Sequence, residues 1–115
     1  MIRTYQLCTV QIAHVPKRPG IYEIFSPVCR ARYIGSTVNL NERFRNHFFK
    51  LHRGCHPNPK LQRLFSKRGG VLFFRIVAVC PSEALVRMEQ ERLDRHRHRP
   101  NLLNRTLTAA GHYGR

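Results

Sequence analysis

The sequence predicts one α+β domain, a small three-stranded sheet covered by helices in the chain order strand, strand, helix, helix, strand, helix. Three observations carry this prediction. Short β-rich runs occur at 21–25, 31–37 and 71–80, each bounded by Pro, Gly or Ser. Apolar residues recur at helical spacing across 40–51, 61–65 and 85–93. No repeat, low-complexity tract or linker divides the 115 residues into two cores.

Residues 1–19 read as a lead-in, because the alternation Tyr5, Leu7, Thr9, Gln11 is only weakly strand-like before Pro16, Pro19 and Gly20 break the chain. The domain proper is expected over 20–106. Ile21–Phe25 is a first strand, Ser26-Pro27 begins a turn, and Ala31–Thr37 returns, which predicts a hairpin with a loop of about five residues. Asn39 or Asn41 can cap the helix that follows. Its apolar stripe is Leu40, Phe44, Phe48 and Leu51, and Gly54 ends it. Lys60–Lys67 carries Leu61, Leu64 and Phe65 at helical spacing and stops at Gly69-Gly70. Val71–Cys80 reads as the third strand, apolar except for Arg75. Ala84–Asp94 reads as the last helix, with Leu85, Val86, Met88 and Leu93 as its apolar members. Pro100 ends that region, and 107–115 is a polar tail.

Charge narrows the partner. There are 21 Lys+Arg against 6 Asp+Glu, a formal charge of +15 at pH 7, and 17 of those bases are arginine. Arginine's planar fork suits bidentate contact with phosphate, so a nucleic acid backbone is the first expectation and an anionic membrane surface the second. An apolar fraction of 42% excludes a disordered polyelectrolyte, and six scattered acids exclude a metal site built from many carboxylates. No apolar stretch approaches the ~20 residues of a membrane span, and the N-terminus has no secretory apolar segment. Cys8, Cys29, Cys55 and Cys80 form no Cys-x-x-Cys pair, so reduced thiols in an intracellular protein are expected.

Few residues are placed for chemistry. Tyr22 and Tyr33 sit on the two paired strands, where a backbone fixes their positions, although isolated tyrosines more often just pack. Arg43 and His47 are four apart and share a helix face; Arg45 and Lys50 nearby make a solvated basic helix the plain alternative. Glu89 falls between Leu85 and Leu93 on the apolar line of the last helix, so it is expected to meet a cation or line a cleft as the one inward carboxylate. Glu91 faces away and can pair with Arg87 or Arg95. A single acid completed by substrate phosphate oxygens and water suffices for Mg²⁺. Structural zinc is disfavoured, since Cys55-His56 and His96-x-His98 lack a second half. His96, His98 and the arginines at 92, 95, 97 and 99 are expected to form a basic surface whose grip weakens steeply with salt.

These residues, in this order, resemble the GIY-YIG nuclease family. Gly20-Ile21-Tyr22 is followed ten residues later by Tyr33-Ile34-Gly35, then Ser36, Arg43-x-x-x-His47, Met88-Glu89-Gln90, Pro100 and Asn104. Gly54-Cys55-His56 with Lys60-Leu61-Gln62-Arg63 is similar to the catalytic domain of phage group I intron homing endonucleases. The resemblance implies a three-stranded antiparallel sheet flanked by helices and hydrolysis of DNA with one divalent metal, Mg²⁺ or Mn²⁺. It implies Tyr22 as base or water-positioner, Tyr33 in the adjoining network, Arg43 on the phosphate, His47 in support and Glu89 on the metal. Gly35, Ser36, His56, Lys60 and Asn104 would contact substrate, with Asn101 as the fallback for Asn104. A phenol of ordinary pKa ~10 is a poor resting base. Metal and Arg43 are expected to lower it, and a short chain through His47 or His56 to take the proton onward. The alternative is a catalytically silent nucleic-acid-binding module on the same scaffold; a basic ribosomal-type RNA binder is a third reading that leaves Glu89 unexplained. With no linker to a second DNA-binding domain, target preference is expected from loops, a homodimer or a separate partner protein.

Overall fold

A computed structural model describes residues 3–104. Four strands, β1 (Arg3–Gln6), β2 (Gly20–Phe25), β3 (Arg32–Thr37) and β4 (Phe73–Val79), form one antiparallel sheet in the order β1-β4-β2-β3. Three α-helices, α1 (Leu40–His52), α2 (Pro59–Lys67) and α3 (Leu85–His96), flank it, and 3₁₀ turns occupy Thr9–His14 and Ser82–Ala84. The α+β class is as expected, but the sheet has four strands rather than three. The added strand lies in the segment read as a lead-in. Arg3, Thr4 and Gln6 are exposed, so β1 carries no inward apolar alternation; backbone pairing with β4 specifies it instead. Leu7 and Val15 then anchor this segment in the core. The tail at 107–115 lies outside the described residues.

The hairpin of β2 and β3 places Tyr22 opposite Gly35 and Glu23 opposite Ile34. In its loop the Ser26 hydroxyl accepts from the N–H groups of Val28 and Cys29. Alternation sends Tyr22 and Ile24 to one face of the sheet and Glu23 to the other. On the first face they join Phe74 and Ile76 beneath α1 and α2, whose Leu40, Phe44, Phe48, Leu51, Leu61 and Phe65 complete the main core. Asn39 caps α1 by accepting from Glu42 N–H. Asn41 is not the cap: it is buried, and its amide donates to the carbonyls of Ile12 and Val15, tying the first 3₁₀ turn to the helix. Asn58 caps α2 by accepting from Lys60 and Leu61 N–H, and Pro59 opens the helix where no N–H is needed.

On the second face α3 packs Leu93 against Ile34 and Leu102. The helix starts at Leu85, behind a 3₁₀ turn, and Val86 faces solvent rather than the core. Beyond α3 the chain turns back along β3. Arg32 N–H donates to Asn101 O at 3.0 Å and Leu103 N–H to Arg32 O at 2.8 Å, a short parallel bridge on the sheet edge. No helix among the described residues is long and apolar enough to cross a membrane.

Candidate active site

Tyr22, on the central strand β2, is 1% exposed and stacks on Phe74 at 4.7 Å between ring centroids. Its hydroxyl lies 2.7 Å from Nε2 of His47, a buried residue of α1. His47 Nδ1 in turn lies 2.8 Å from Nε2 of His56, in the turn before α2, and the two imidazoles stack at 5.0 Å. Tyr33 on β3 meets both imidazoles edge-on. Arg43, one turn before His47, reaches Tyr22 with a side-chain hydrogen bond and its charge. Tyr33, Arg43, Asn46, His47, Lys50 and His56 line a cleft of about 230 Å³. A larger depression of about 680 Å³, between the first 3₁₀ turn and α1, holds none of the motif side chains.

Glu89 comes from the opposite face. It is partly exposed on α3, and the Ser36 hydroxyl of β3 donates to its carboxylate. Its negative charge is felt at both Tyr22 and Tyr33, so the site draws on both faces of the sheet. Burial raises the Tyr22 phenol well above its ordinary pKa, with Tyr33 and Glu89 adding to the rise and Arg43 opposing it. Lowering by Arg43 therefore does not win: the resting phenol is protonated. Tyr33 is also raised by burial. His47 is held well below the ordinary histidine value by burial, His56, Arg43 and Lys50. His56 is pushed down to about 4 by burial and Lys50. Both imidazoles are neutral at pH 7.

Several of the expected residues have structural tasks. A methyl group on Gly35 would overlap the Tyr22 ring, so this glycine makes room for Tyr22. A methyl on Gly20 would collide with Ala78 O and Leu40. Ser36 holds Glu89 in place. Asn104 accepts from Ile34 N–H at 2.8 Å and donates to Ile34 O at 2.7 Å, so its amide clamps the edge of β3. Asn101 contributes only its backbone there. Lys60 stands exposed on the first turn of α2, outside the lining of the cleft.

Glu89 is not the one inward carboxylate. Glu23 is fully buried, gripped by Arg32 at 3.0 Å, Arg75 at 2.7 Å and Arg92 at 2.6 Å, with His96 at 4.0 Å. Burial alone would raise its pKa, but the hydrogen bonds from Arg92 and Arg75 and the charges of Arg92 and Arg32 take it below the ordinary carboxylate value. Arg92 and His96 therefore face inward rather than forming the basic surface, and Arg97 pairs with Asp94 at 2.8 Å. Glu91 pairs with Arg87 at 3.2 Å, as its helical spacing allows. Sequence reasoning passed over Asn46 and read Lys50 only as part of a solvated basic helix, although positions 43, 46, 47 and 50 share one face of α1 and all line the cleft. It took in Gln62 only within the Lys60–Arg63 stretch, with no task; Gln62 accepts from His56 N–H and donates to Leu51 O.

Among the described residues no three His, Cys, Asp or Glu side chains converge as a metal cage. One half-open carboxylate, oriented by a serine, fits a hard divalent cation that takes its remaining ligands from water and substrate phosphate. The four cysteines are unpaired.

Comparison with known proteins places these features in a family. The GIY-YIG catalytic domain matches residues 18–104. Intron-associated endonuclease 1 of Enterobacteria phage T4 is 36% identical over 74 residues, a match covering 64% of this chain and 30% of that protein. The catalytic domain of homing endonuclease I-TevI superposes with a TM-score of 0.70 at 28% identity, covering 77% of this chain and 99% of that domain. A point mutant of the same domain gives 0.69 at 28% identity, covering 81% and 96%.

Proposed function

The chain belongs to the GIY-YIG family, and from that premise we propose that it is a DNA endonuclease hydrolysing phosphodiester bonds with one divalent metal, Mg²⁺ or Mn²⁺. The observation that carries this reading is the gathering of Tyr33, Arg43 and His47 at one cleft, with Tyr22 buried behind them against His47 and the charge of Glu89 felt at both tyrosines. Cationic donors fixed along the cleft, with an acid acting on the same two tyrosines from the far face of the sheet, suit a scissile phosphate.

In this reading Arg43 holds the phosphate by its guanidinium fork and meets the charge that develops in the transition state. Tyr22 orients the attacking water through its hydroxyl, and His47 fixes the phenol for that task. Lys50, exposed at the cleft's edge, contacts a flanking phosphate. Glu89, oriented by Ser36, would hold the metal together with phosphate oxygens and water. A bound divalent ion would supply positive charge at the reacting phosphate and acidify water. The wider basic surface grips the backbone and reads no sequence.

Nicking of supercoiled plasmid tests the proposal. Cleavage is expected with Mg²⁺ or Mn²⁺, none with EDTA, and a fall of about 10²–10³ in Arg43→Ala, the loss typical of one transition-state donor. Glu89→Ala should bind duplex and not cut it. Binding by the wild type without cleavage under either metal would instead establish the silent binding module.

A further inference from the structure

The three ring contacts that join Asn58 to Tyr22 have a direction. Asn58 N–H lies 3.0 Å from His56 Nδ1, and a backbone N–H can only donate. His56 Nδ1 is therefore the acceptor and carries no hydrogen. A neutral imidazole has one N–H, so the hydrogen of His56 sits on Nε2 and points at His47 Nδ1, 2.8 Å away. By the same rule His47 Nδ1 accepts and its hydrogen sits on Nε2, facing the Tyr22 oxygen at 2.7 Å. Arg43, which has donors only, also reaches that oxygen.

We propose that the backbone N–H of Asn58 sets a one-way hydrogen-bond chain through His56 and His47 to Tyr22, keeping the Tyr22 oxygen an acceptor toward the fold and turning its own proton away from the histidines. The pair is thus a positioning device and not a route for the Tyr22 proton. His47 Nε2 already holds a hydrogen. Taking a second proton there would place Nδ1–H against His56 Nε2–H unless the His56 hydrogen moved to Nδ1, where Asn58 N–H stands. Asn58 itself cannot swing aside freely. Its side-chain oxygen caps α2, its amide nitrogen donates to Leu103 O at 2.9 Å, and Gln62 holds the backbone of His56. The catalytic meaning rests on Tyr22 acting at the water, as proposed above; the bond directions do not.

The test is the tautomer of each imidazole, read from long-range ¹H–¹⁵N correlations of ¹⁵N-histidine-labelled protein near pH 7. Both His47 and His56 are expected to carry hydrogen on Nε2 and none on Nδ1. A hydrogen on Nδ1 of either ring in the folded wild type overturns the proposal, with no variant needed. His56→Gln keeps an acceptor for Asn58 and a donor for His47, so His47 should remain Nε2-protonated. His56→Glu presents only acceptors and should draw a hydrogen onto His47 Nδ1; an unchanged His47 spectrum there also overturns it. Plasmid nicking should fall at least about tenfold further in His56→Glu than in His56→Gln, whereas equal losses would reduce His56 to packing and overturn the positioning role. If the wild type shows the expected tautomers and does not cut, the chain of bonds stands and the nuclease reading fails.

Discussion

Gly35 and Tyr22 show how little room the site has at the scale of one residue. They face each other across the β2–β3 pair, and a methyl on Gly35 would occupy the place of the Tyr22 ring and hydroxyl. A ring held between Gly35 and Phe74 points its oxygen at His47 with few other choices. Gly35→Ala should therefore push the ring aside and break the 2.7 Å contact with His47. The overpacking is expected to cost ~1–3 kcal/mol of stability by urea titration, and nicking should fall by about 10² or more, as misplaced catalytic groups do. A Gly35→Ala variant that melts lower yet nicks at the wild-type rate would show that the Tyr22 position does not govern the reaction.

Elements are joined by Glu23 more than by any other polar side chain described. Its carboxylate on β2 binds Arg32 of β3, Arg75 of β4 and Arg92 of α3, so one acid ties three strands to a helix. Glu23→Ala would leave three arginines, each 20–27% exposed, crowded without a counter-charge. Removing one partner of a buried ion cluster costs ~3–5 kcal/mol, and partial exposure of the arginines favours the lower end. Urea denaturation of Glu23→Ala measures this; a loss under about 1 kcal/mol would mean that solvent screens the arginines. The hub also marks where the sequence stops being legible. Periodicity located α1, because Leu40, Phe44, Phe48 and Leu51 all bury one stripe. Local alternation and the Ser26 turn located the hairpin. No local pattern announces β1, whose partner lies about 70 residues away, or Glu23, whose three partners come from three other elements. Arg75, the lone charge in an apolar strand, was the available signal for a buried counter-ion. Tyr22, Arg43, His47 and Glu89 were legible as motif residues, but the tasks of Gly35, Ser36 and Asn104 depend on neighbours that only the fold supplies.

For the whole molecule, pH is the variable on which the buried groups act together. His47, His56 and His96 all have folded pKa values below the ordinary histidine value, each chiefly through burial, with His56 down at about 4. Unfolding returns each to ~6.5, so between pH ~6.5 and ~4 the unfolded chain binds more protons than the folded one. Stability must therefore fall as pH drops through that window. Glu23 acts lower down: its folded pKa is depressed, so its contribution is present above the ordinary carboxylate value and is lost only as pH falls through the depressed one. The formal charge of +15 adds to the effect, since each further positive charge raises the self-repulsion of the compact state. The urea midpoint is expected to begin falling near pH ~6.5, well above the range where carboxylates titrate. His56→Gln, which removes one buried titrating ring, should flatten part of that decline relative to its own value at about pH 7.5. A wild-type midpoint constant from about pH 7 to about pH 5 would require the histidines to be solvated in the folded protein, and the closed stack of Tyr22, His47 and His56 would then be incorrect.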